Sequence, residues 1–185
     1  MKTVIKLNIG CGNSKIVEDF RGLDVRSTPI TEYVTPAYDL SLFEDESIDA
    51  IYSRHTLEHL TQEEARRALK EWCRVLKVGG TVQIIVPDLI YHARQFLVAY
   101  KNNDTKNLEH AMASFYGWRD ISRGGAAEDS HKWGYTEKSL LTSIKTSGFS
   151  KSFRLNERNY TSYKNVVYDR GDLSRPFHLN VWGIK

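Results

Sequence analysis

Cysteine is scarce in this sequence, and its two cysteines, Cys11 and Cys73, lie far apart. Such a pair supports neither a disulfide framework nor the CxxC spacing of a zinc site. The six histidines include no HExxH pattern, so no sequence motif indicates metal ligands. We therefore expect no metal site and a reducing, cytoplasmic environment.

Long hydrophobic runs are also lacking, and none approaches the roughly 20 apolar residues that a membrane-spanning helix requires. The first ten residues, MKTVIKLNIG, are interrupted by Lys6 and Asn8 and are too short for the core of a signal peptide. The net charge is only +3 and the basic residues are scattered. Because nucleic-acid binders concentrate basic residues on one surface, we expect neither nucleic acid nor membrane as a partner.

The chain has the size and composition of one globular domain. Its 185 residues are 41% hydrophobic and 26% charged, without repeats, low-complexity tracts or linkers. Short β-branched runs alternate with helical patterns. We predict strands at residues 4–9, 20–25, 33–39, 48–53, 81–86, 152–156 and 179–184, and helical segments at 61–76, 89–119 and 137–146. This alternation predicts a parallel sheet with helices on both faces.

The clearest helix follows Thr61, which forms a capping box with Glu64. We predict that Gly79 and Gly80 end this helix with a left-handed cap.

Unusual residues stand at the carboxyl ends of the predicted strands, where open α/β sheets bind ligands. Gly10 and Gly12 follow the first strand and allow a ligand to approach the backbone closely, although a sharp turn without a ligand would look the same. Asp24 ends the second strand and can accept both hydroxyls of a ribose, or cap the next loop. Asp39 can accept from an exocyclic amine while Leu40 packs on a flat base, or Asp39 can serve only its turn.

Together these pieces resemble the class I S-adenosylmethionine-dependent methyltransferases, in particular a compact subgroup often linked with sugar or polysaccharide biosynthesis. The resemblance runs through LNIGCG (7–12), GLD (22–24), DL (39–40), SIDAIYS (47–53), HTLEHL (55–60) and LKVGGT (76–81), and HKWGYT (131–136) and SGF (147–149) also fit. We therefore predict an α/β fold with a doubly wound, mostly parallel Rossmann-like sheet and an antiparallel C-terminal strand. Only eleven residues separate Gly12 from Asp24, so the first crossover helix is expected to be short or absent.

The resemblance implies S-adenosylmethionine as cofactor. Gly10 and Gly12 would line its amino-acid part, Asp24 would hold the ribose, Asp39 the adenine end, and residues 53–55 would lie near the sulfonium. The residues expected to contact the cofactor are Asn8, Gly10, Cys11, Gly12, Asp24, Val25, Asp39, Leu40, Ser53 and Arg54. Asn8 stands where many family members carry an acidic residue, and it can still bind the cofactor's amino group without charge.

Methyl transfer is an in-line displacement, so the protein mainly aligns the acceptor and excludes water. An acceptor hydroxyl must also lose a proton, and His55 is the expected general base, with His131 as a second candidate that closes over the substrate or anchors a loop. For Glu58 and His59 we favour hydrogen bonding at the helix entry. Phosphate or carboxylate recognition is an alternative to plain surface charge for Arg119, Arg123 and Lys132.

The leading hypothesis is a single domain, 1–185, that transfers a methyl group to oxygen or nitrogen of a small molecule or sugar. A helical and loop insertion at about 89–135 would cover the substrate side. The alternative is a non-catalytic module that binds S-adenosylmethionine or S-adenosylhomocysteine, which Asn8 and the short first crossover favour. A dehydrogenase fits less well, because Lys15 replaces the third glycine of GxGxxG.

Overall fold

A computed structural model describes residues 4–13, 17–118, 129–167 and 176–185. In this part of the chain seven strands form one sheet, in the order β3-β2-β1-β4-β5-β7-β6. The strands are β1 (Lys6–Ile9), β2 (Arg21–Asp24), β3 (Thr31–Val34), β4 (Ile48–Arg54), β5 (Leu76–Pro87), β6 (Lys151–Arg154) and β7 (His178–Ile184). The helices are α1 (Gln62–Val75), α2 (Leu89–Lys101), α3 (Thr105–Tyr116) and α4 (Glu137–Thr146).

The sheet confirms the predicted fold class. Strands β1 to β5 run parallel, and the C-terminal strand β7 pairs antiparallel with both β5 and β6. The strand order reverses between β1 and β4, so the carboxyl ends of these two strands border the crevice where such sheets bind ligands.

The connections around β2 and β3 are unusually short for parallel strands. Among the described residues, turns and bends replace helices between β1 and β2, between β2 and β3, and between β3 and β4. Gly22 makes the second of these connections possible, because a Cβ there would lie 3.1 Å from the Ile30 carbonyl carbon and 3.0 Å from the Cys11 sulfur. The described part of the first connection agrees with the expected short or absent crossover helix, whereas the other two connections do not meet the expectation of helices on both faces.

One face of the sheet packs on α1 and α4 and forms the main core. The apolar stripe of α1 is buried there, and its Trp72 is fully inaccessible. The Trp72 indole nitrogen donates to the Ala37 carbonyl at 2.8 Å, which ties the helix to the segment after β3. The predicted capping box is present, since Thr61 and Glu64 bind each other's backbone.

An irregular segment, residues 155–167, covers part of the other face. The Gln83 carboxamide binds both backbone groups of Val167, accepting from its nitrogen at 2.7 Å and donating to its carbonyl at 3.2 Å. The Trp182 indole donates to the Lys164 carbonyl at 3.0 Å. Polar side chains that point out of the sheet therefore hold a loop against it.

Three boundary predictions need correction. The strand predicted at 33–39 is β3 at Thr31–Val34, so Asp39 lies five residues beyond the end of a strand instead of at it. Helix α1 ends at Val75, and Gly79 takes its positive φ of +78° inside β5 instead of capping the helix. The helical region predicted at 89–119 is two helices, because Asn103 adopts φ +53° and Asp104 caps α3. No described helix is long and apolar enough to cross a membrane.

Candidate active site

A pocket of about 270 Å³ opens at the point where the strand order reverses. Its wall consists of Gly10, Leu23, Asp24, Val25, Arg26, Pro36, Ala37, Tyr38, His55, Thr56, His59, Leu60, Glu64, Asp129 and Lys132. The segments that follow β1, β2, β3 and β4 all contribute. Four of the residues predicted to bind the cofactor or act in catalysis meet here: Gly10, Asp24, Val25 and His55.

The turn after β1 is pressed against the segment after β4. Gly10 has φ +74°, and a Cβ at this position would overlap the Thr56 hydroxyl. Thr56 in turn donates to the Ile9 carbonyl at 3.1 Å. Around Gly12 (φ +53°) the space is open, since the nearest atom to a Cβ would be an Arg26 guanidinium nitrogen at 3.9 Å. The backbone at Gly12 is therefore accessible to a ligand.

Asp24 holds the loops on both sides of the pocket. One carboxylate oxygen accepts from the Gly12 backbone nitrogen at 2.8 Å, and the other accepts from the Arg26 backbone nitrogen at 2.9 Å. The residue is 6% exposed. A carboxylate oxygen has two lone pairs, so each oxygen keeps capacity for a further donor such as a ribose hydroxyl. Both alternatives for this residue, loop anchor and ligand acceptor, are compatible with this geometry.

The segment after β3 supplies an apolar wall from Pro36, Ala37 and Tyr38. Asp39, expected at the adenine end, is not part of the wall and accepts from the Ser41 backbone nitrogen at 3.1 Å. Leu40 is fully buried in the core. Pro36, Ala37 and Tyr38, just before Asp39, thus form the surface on which a flat base could pack.

Five other residues expected to contact the cofactor do not form part of the pocket wall. Asn8, Cys11 and Ser53 are buried, with exposures of 6%, 2% and 1%. Burial raises the pKa of the Cys11 thiol. Gly12 and Arg54 also lie outside the wall.

His55 is held by a buried carboxylate. Its Nδ1 lies 2.8 Å from Oε1 of Glu58, which is 1% exposed. Burial alone would raise the pKa of Glu58, but the hydrogen bond from His55 and the positive potential of His55 and His59 outweigh it and lower the pKa. Since an ionised carboxylate only accepts, we assign the proton to Nδ1 of His55. His55 also adopts φ +52°, a left-handed conformation that is uncommon for residues other than glycine.

A second group of side chains, the Glu58–His59–His131 cluster, lies beside the pocket. One ligand atom from each residue falls within 4.8 Å of the others. The His59 and His131 rings pack edge to face with centroids 4.9 Å apart. Burial is the main cause of the lowered pKa of His131, although Glu58 opposes it. His131 is not part of the pocket wall but contacts His59, which is.

The residues on this side of the pocket were named from the sequence, but their contacts with one another were not predicted. Glu58 stands three residues after His55, and that spacing on one turn could have indicated the pair. His131 comes from the far end of the insertion, which no local pattern could place next to His59. Lys132 lies in the wall, with its ammonium 3.8 Å from Glu64, whereas Arg119 and Arg123 lie outside the described residues.

Comparisons with known proteins agree with this geometry. A family model described as "Methyltransferase domain" matches residues 7–84. No curated protein matches the chain significantly. A structure from Archaeoglobus fulgidus described as an S-adenosylmethionine-dependent methyltransferase is 15% identical, with a TM-score of 0.61 over 100% of this chain and 87% of that one.

Two further solved structures share the fold. One from Thermotoga maritima, described as a possible histamine N-methyltransferase, is 17% identical, with a TM-score of 0.59 over 100% of this chain and 84% of that one. The Burkholderia thailandensis 1,6-didemethyltoxoflavin-N1-methyltransferase, solved with 1,6-didemethyltoxoflavin and S-adenosylhomocysteine, is 12% identical. Its TM-score is 0.56 over 100% of this chain and 72% of that one.

Proposed function

We propose that the chain transfers a methyl group from S-adenosylmethionine to oxygen or nitrogen of a small molecule or sugar. Residues 7–84 match the methyltransferase domain family, and the whole sheet has the class I S-adenosylmethionine-dependent fold. The observation that carries this proposal is the pocket at the strand-order reversal, which has Asp24 on one side and His55 on the other.

The described residues fit an adenosyl ligand. Gly12 leaves open space beside the backbone after β1, Gly10 lies in the pocket wall, and the buried Asp24 carboxylate has lone pairs to spare. Pro36, Ala37 and Tyr38 form a surface suited to a flat base. These residues would hold the cofactor from its amino-acid part to its adenine. The small-molecule acceptor is supported by the names of two similar structures, which refer to histamine and 1,6-didemethyltoxoflavin.

S-adenosylmethionine supplies a methyl group that is already activated. The chain's own contribution is to orient the acceptor and, for a hydroxyl acceptor, to take up its proton. His55 suits this task because Glu58 binds Nδ1, which leaves Nε2 as the proton acceptor. The ionised Glu58 also stabilises the imidazolium that forms, in the manner of a triad carboxylate.

Asp24→Asn tests the placement of the cofactor. The NH₂ group of the asparagine faces one of the two backbone nitrogens that now donate to Asp24, so one of these hydrogen bonds is lost. The remaining amide oxygen is uncharged and is a weaker acceptor than a carboxylate. We expect binding of S-adenosylhomocysteine, measured by calorimetry, to weaken by about 1–3 kcal/mol. Asp39→Asn is the matched control, because Asp39 lies outside the pocket wall. The affinity of this variant for S-adenosylhomocysteine should stay unchanged. Equal losses in both variants, or none in either, would refute the proposed ribose site.

Turnover is tested separately from binding. Production of S-adenosylhomocysteine from S-adenosylmethionine is measured over a panel of hydroxylated and amino acceptors. Asparagine tolerates positive φ, so His55→Asn should preserve the fold while lowering turnover of a hydroxyl acceptor by roughly 100-fold or more. Binding without turnover on any acceptor would instead favour the non-catalytic module.

A further inference from the structure

The Glu58–His59–His131 cluster contains an acceptor that the described residues leave unused. Oε1 of Glu58 binds His55, but Oε2 is buried and has no hydrogen-bond partner in the described part of the chain. A buried carboxylate oxygen without a partner loses its hydration and gains nothing in return. The arrangement is therefore incomplete as it stands, and a donor or cation next to Oε2 would complete it.

Backbone carbonyls bind the same ring nitrogen, Nδ1, of both histidines in the cluster. Nδ1 of His131 lies 2.8 Å from the Ser114 carbonyl, and Nδ1 of His59 lies 3.3 Å from the Ser130 carbonyl. A carbonyl only accepts, so both rings carry their proton on Nδ1 and keep the Nε2 lone pair free. Metal-binding histidines are oriented in this way, by donating the other ring nitrogen to a backbone carbonyl or carboxylate.

The backbone holds the two halves of the cluster together. Glu58 and His59 belong to one turn after β4, and the Glu58 carbonyl accepts from the Lys132 nitrogen at 2.7 Å and from the Trp133 nitrogen at 3.2 Å. These bonds fix the residue next to His131 against the Glu58 turn. Ligands bound to one ion at 2.0–2.2 Å lie about 3–3.6 Å apart, so the present spread of up to 4.8 Å closes with side-chain shifts of about 1 Å.

We propose that Glu58, His59 and His131 form a binding site for a divalent transition metal ion, beside the pocket that His59 lines. Two imidazoles and one carboxylate are a donor set used for Zn²⁺ and Fe²⁺, and three protein ligands leave at least one coordination position open. His55 becomes the group that orients the ligating carboxylate, because Oε1 and Oε2 then have separate partners. The site does not depend on the proposed methyl transfer.

No metal site was predicted from the sequence, because that expectation rested on local spacing. Glu58 and His59 are adjacent, but His131 joins them only through the insertion, so no short motif contains the set. The cluster also explains why a half-buried histidine of the insertion packs against the turn after β4.

Titration of the chelator-treated full chain with Zn²⁺ tests the proposal, with the visible spectrum of bound Co²⁺ as a second measurement. We expect one ion per chain, and a change in the Co²⁺ spectrum that requires all three ligands. Glu58→Gln, His59→Gln and His131→Gln should each weaken binding by roughly 100-fold or more. His110→Gln is the matched control, because His110 lies on α3 outside the cluster. The affinity of this variant for Zn²⁺ should change less than twofold.

The thermal unfolding midpoint and the far-ultraviolet circular dichroism of each variant show whether it is folded. Wild-type protein that binds no more Zn²⁺ than the His59→Gln/His131→Gln double variant overturns the proposal, and the cluster is then a hydrogen-bonded network without metal. Metal binding without any affinity for S-adenosylhomocysteine leaves the site standing and refutes only the methyltransferase function. If the variants fail to fold, stoichiometric binding by the wild type with the Co²⁺ spectrum of nitrogen and oxygen ligands decides the question.

Discussion

Gly10 and Gly79 share the same backbone conformation, with φ of +74° and +78°, but only Gly10 has close neighbours. A methyl group at Gly10 would overlap the Thr56 hydroxyl and lie 2.9 Å from the Thr56 Cβ, whereas nothing lies within 4 Å of a methyl group at Gly79. Both alanine variants carry the cost of positive φ, about 1 kcal/mol or somewhat more. We expect Gly10→Ala to lower the free energy of unfolding by roughly 1–3 kcal/mol beyond Gly79→Ala.

Urea denaturation of the two variants measures this difference. Gly10→Ala should also weaken S-adenosylhomocysteine binding, because the displaced Thr56 belongs to the pocket wall. Equal destabilisation in the two variants would mean that the Thr56 segment moves away at little cost, and the close packing of the two turns would then have no energetic consequence.

Residues at strand ends could be predicted, and residues brought in by long connections could not. Gly10, Asp24 and His55 were identified because the carboxyl ends of parallel strands converge on one edge of the sheet, whatever the loops do. Leu40 was placed at a strand end by the same logic, but β3 already ends at Val34 and Leu40 is buried in the core. His131 depends on the path of the insertion, which no periodicity reveals.

At the scale of elements, Trp72 and Trp182 make the same bond on opposite faces of the sheet. Each indole donates to a loop carbonyl, Trp72 to Ala37 at 2.8 Å and Trp182 to Lys164 at 3.0 Å. Ala37 lies in the pocket wall and Lys164 does not. We expect Trp72→Phe to lower the free energy of unfolding by about 1–3 kcal/mol, because it leaves the Ala37 carbonyl unpaired in a buried position. Trp182→Phe should lower it by less, because Lys164 is exposed and water can reach its carbonyl.

Only Trp72→Phe should also reduce affinity for S-adenosylhomocysteine, because it releases the segment that carries the apolar wall. Calorimetry with both variants measures the affinity, and thermal denaturation confirms that each is folded. If Trp182→Phe weakened binding as much as Trp72→Phe, the pocket would be sensitive to stability in general, and α1 would have no specific part in shaping it.

Element types were easier to predict than element ends. The capping box at Thr61 and Glu64 and the strand run in β5 follow from local side-chain chemistry, and both are present. The short β2–β3 connection could not be predicted, because it depends on Gly22 leaving room for a distant carbonyl. Helix α1 ends before Gly79 because Leu76 already pairs with β4, so sheet pairing overrides the glycine signal.

The molecule as a whole is built unevenly. Helices α1 and α4 cover one face of the sheet, whereas the described connections around β2 and β3 are turns and the other face carries the irregular segment 155–167. Regions with few helical contacts open at lower free energy than the core. We therefore expect the β1–β2 side to open locally before the α1 side unfolds.

The two cysteines report on these two regions. Both are buried, Cys11 at the first crossover and Cys73 in α1, and burial raises the pKa of each thiol, so the reactive thiolate is disfavoured in the folded protein. In Cys73→Ala only Cys11 remains. A disulfide reagent should label Cys11 in this variant faster than it labels Cys73 in Cys11→Ala, and the labelling rate should depend less on urea, as expected for local opening. In Cys11→Ala, the remaining Cys73 should react with the urea dependence of global unfolding. Identical rates and urea slopes for the two thiols would instead show that the turn-connected side and the helix-covered side open as one cooperative unit, despite their unequal packing.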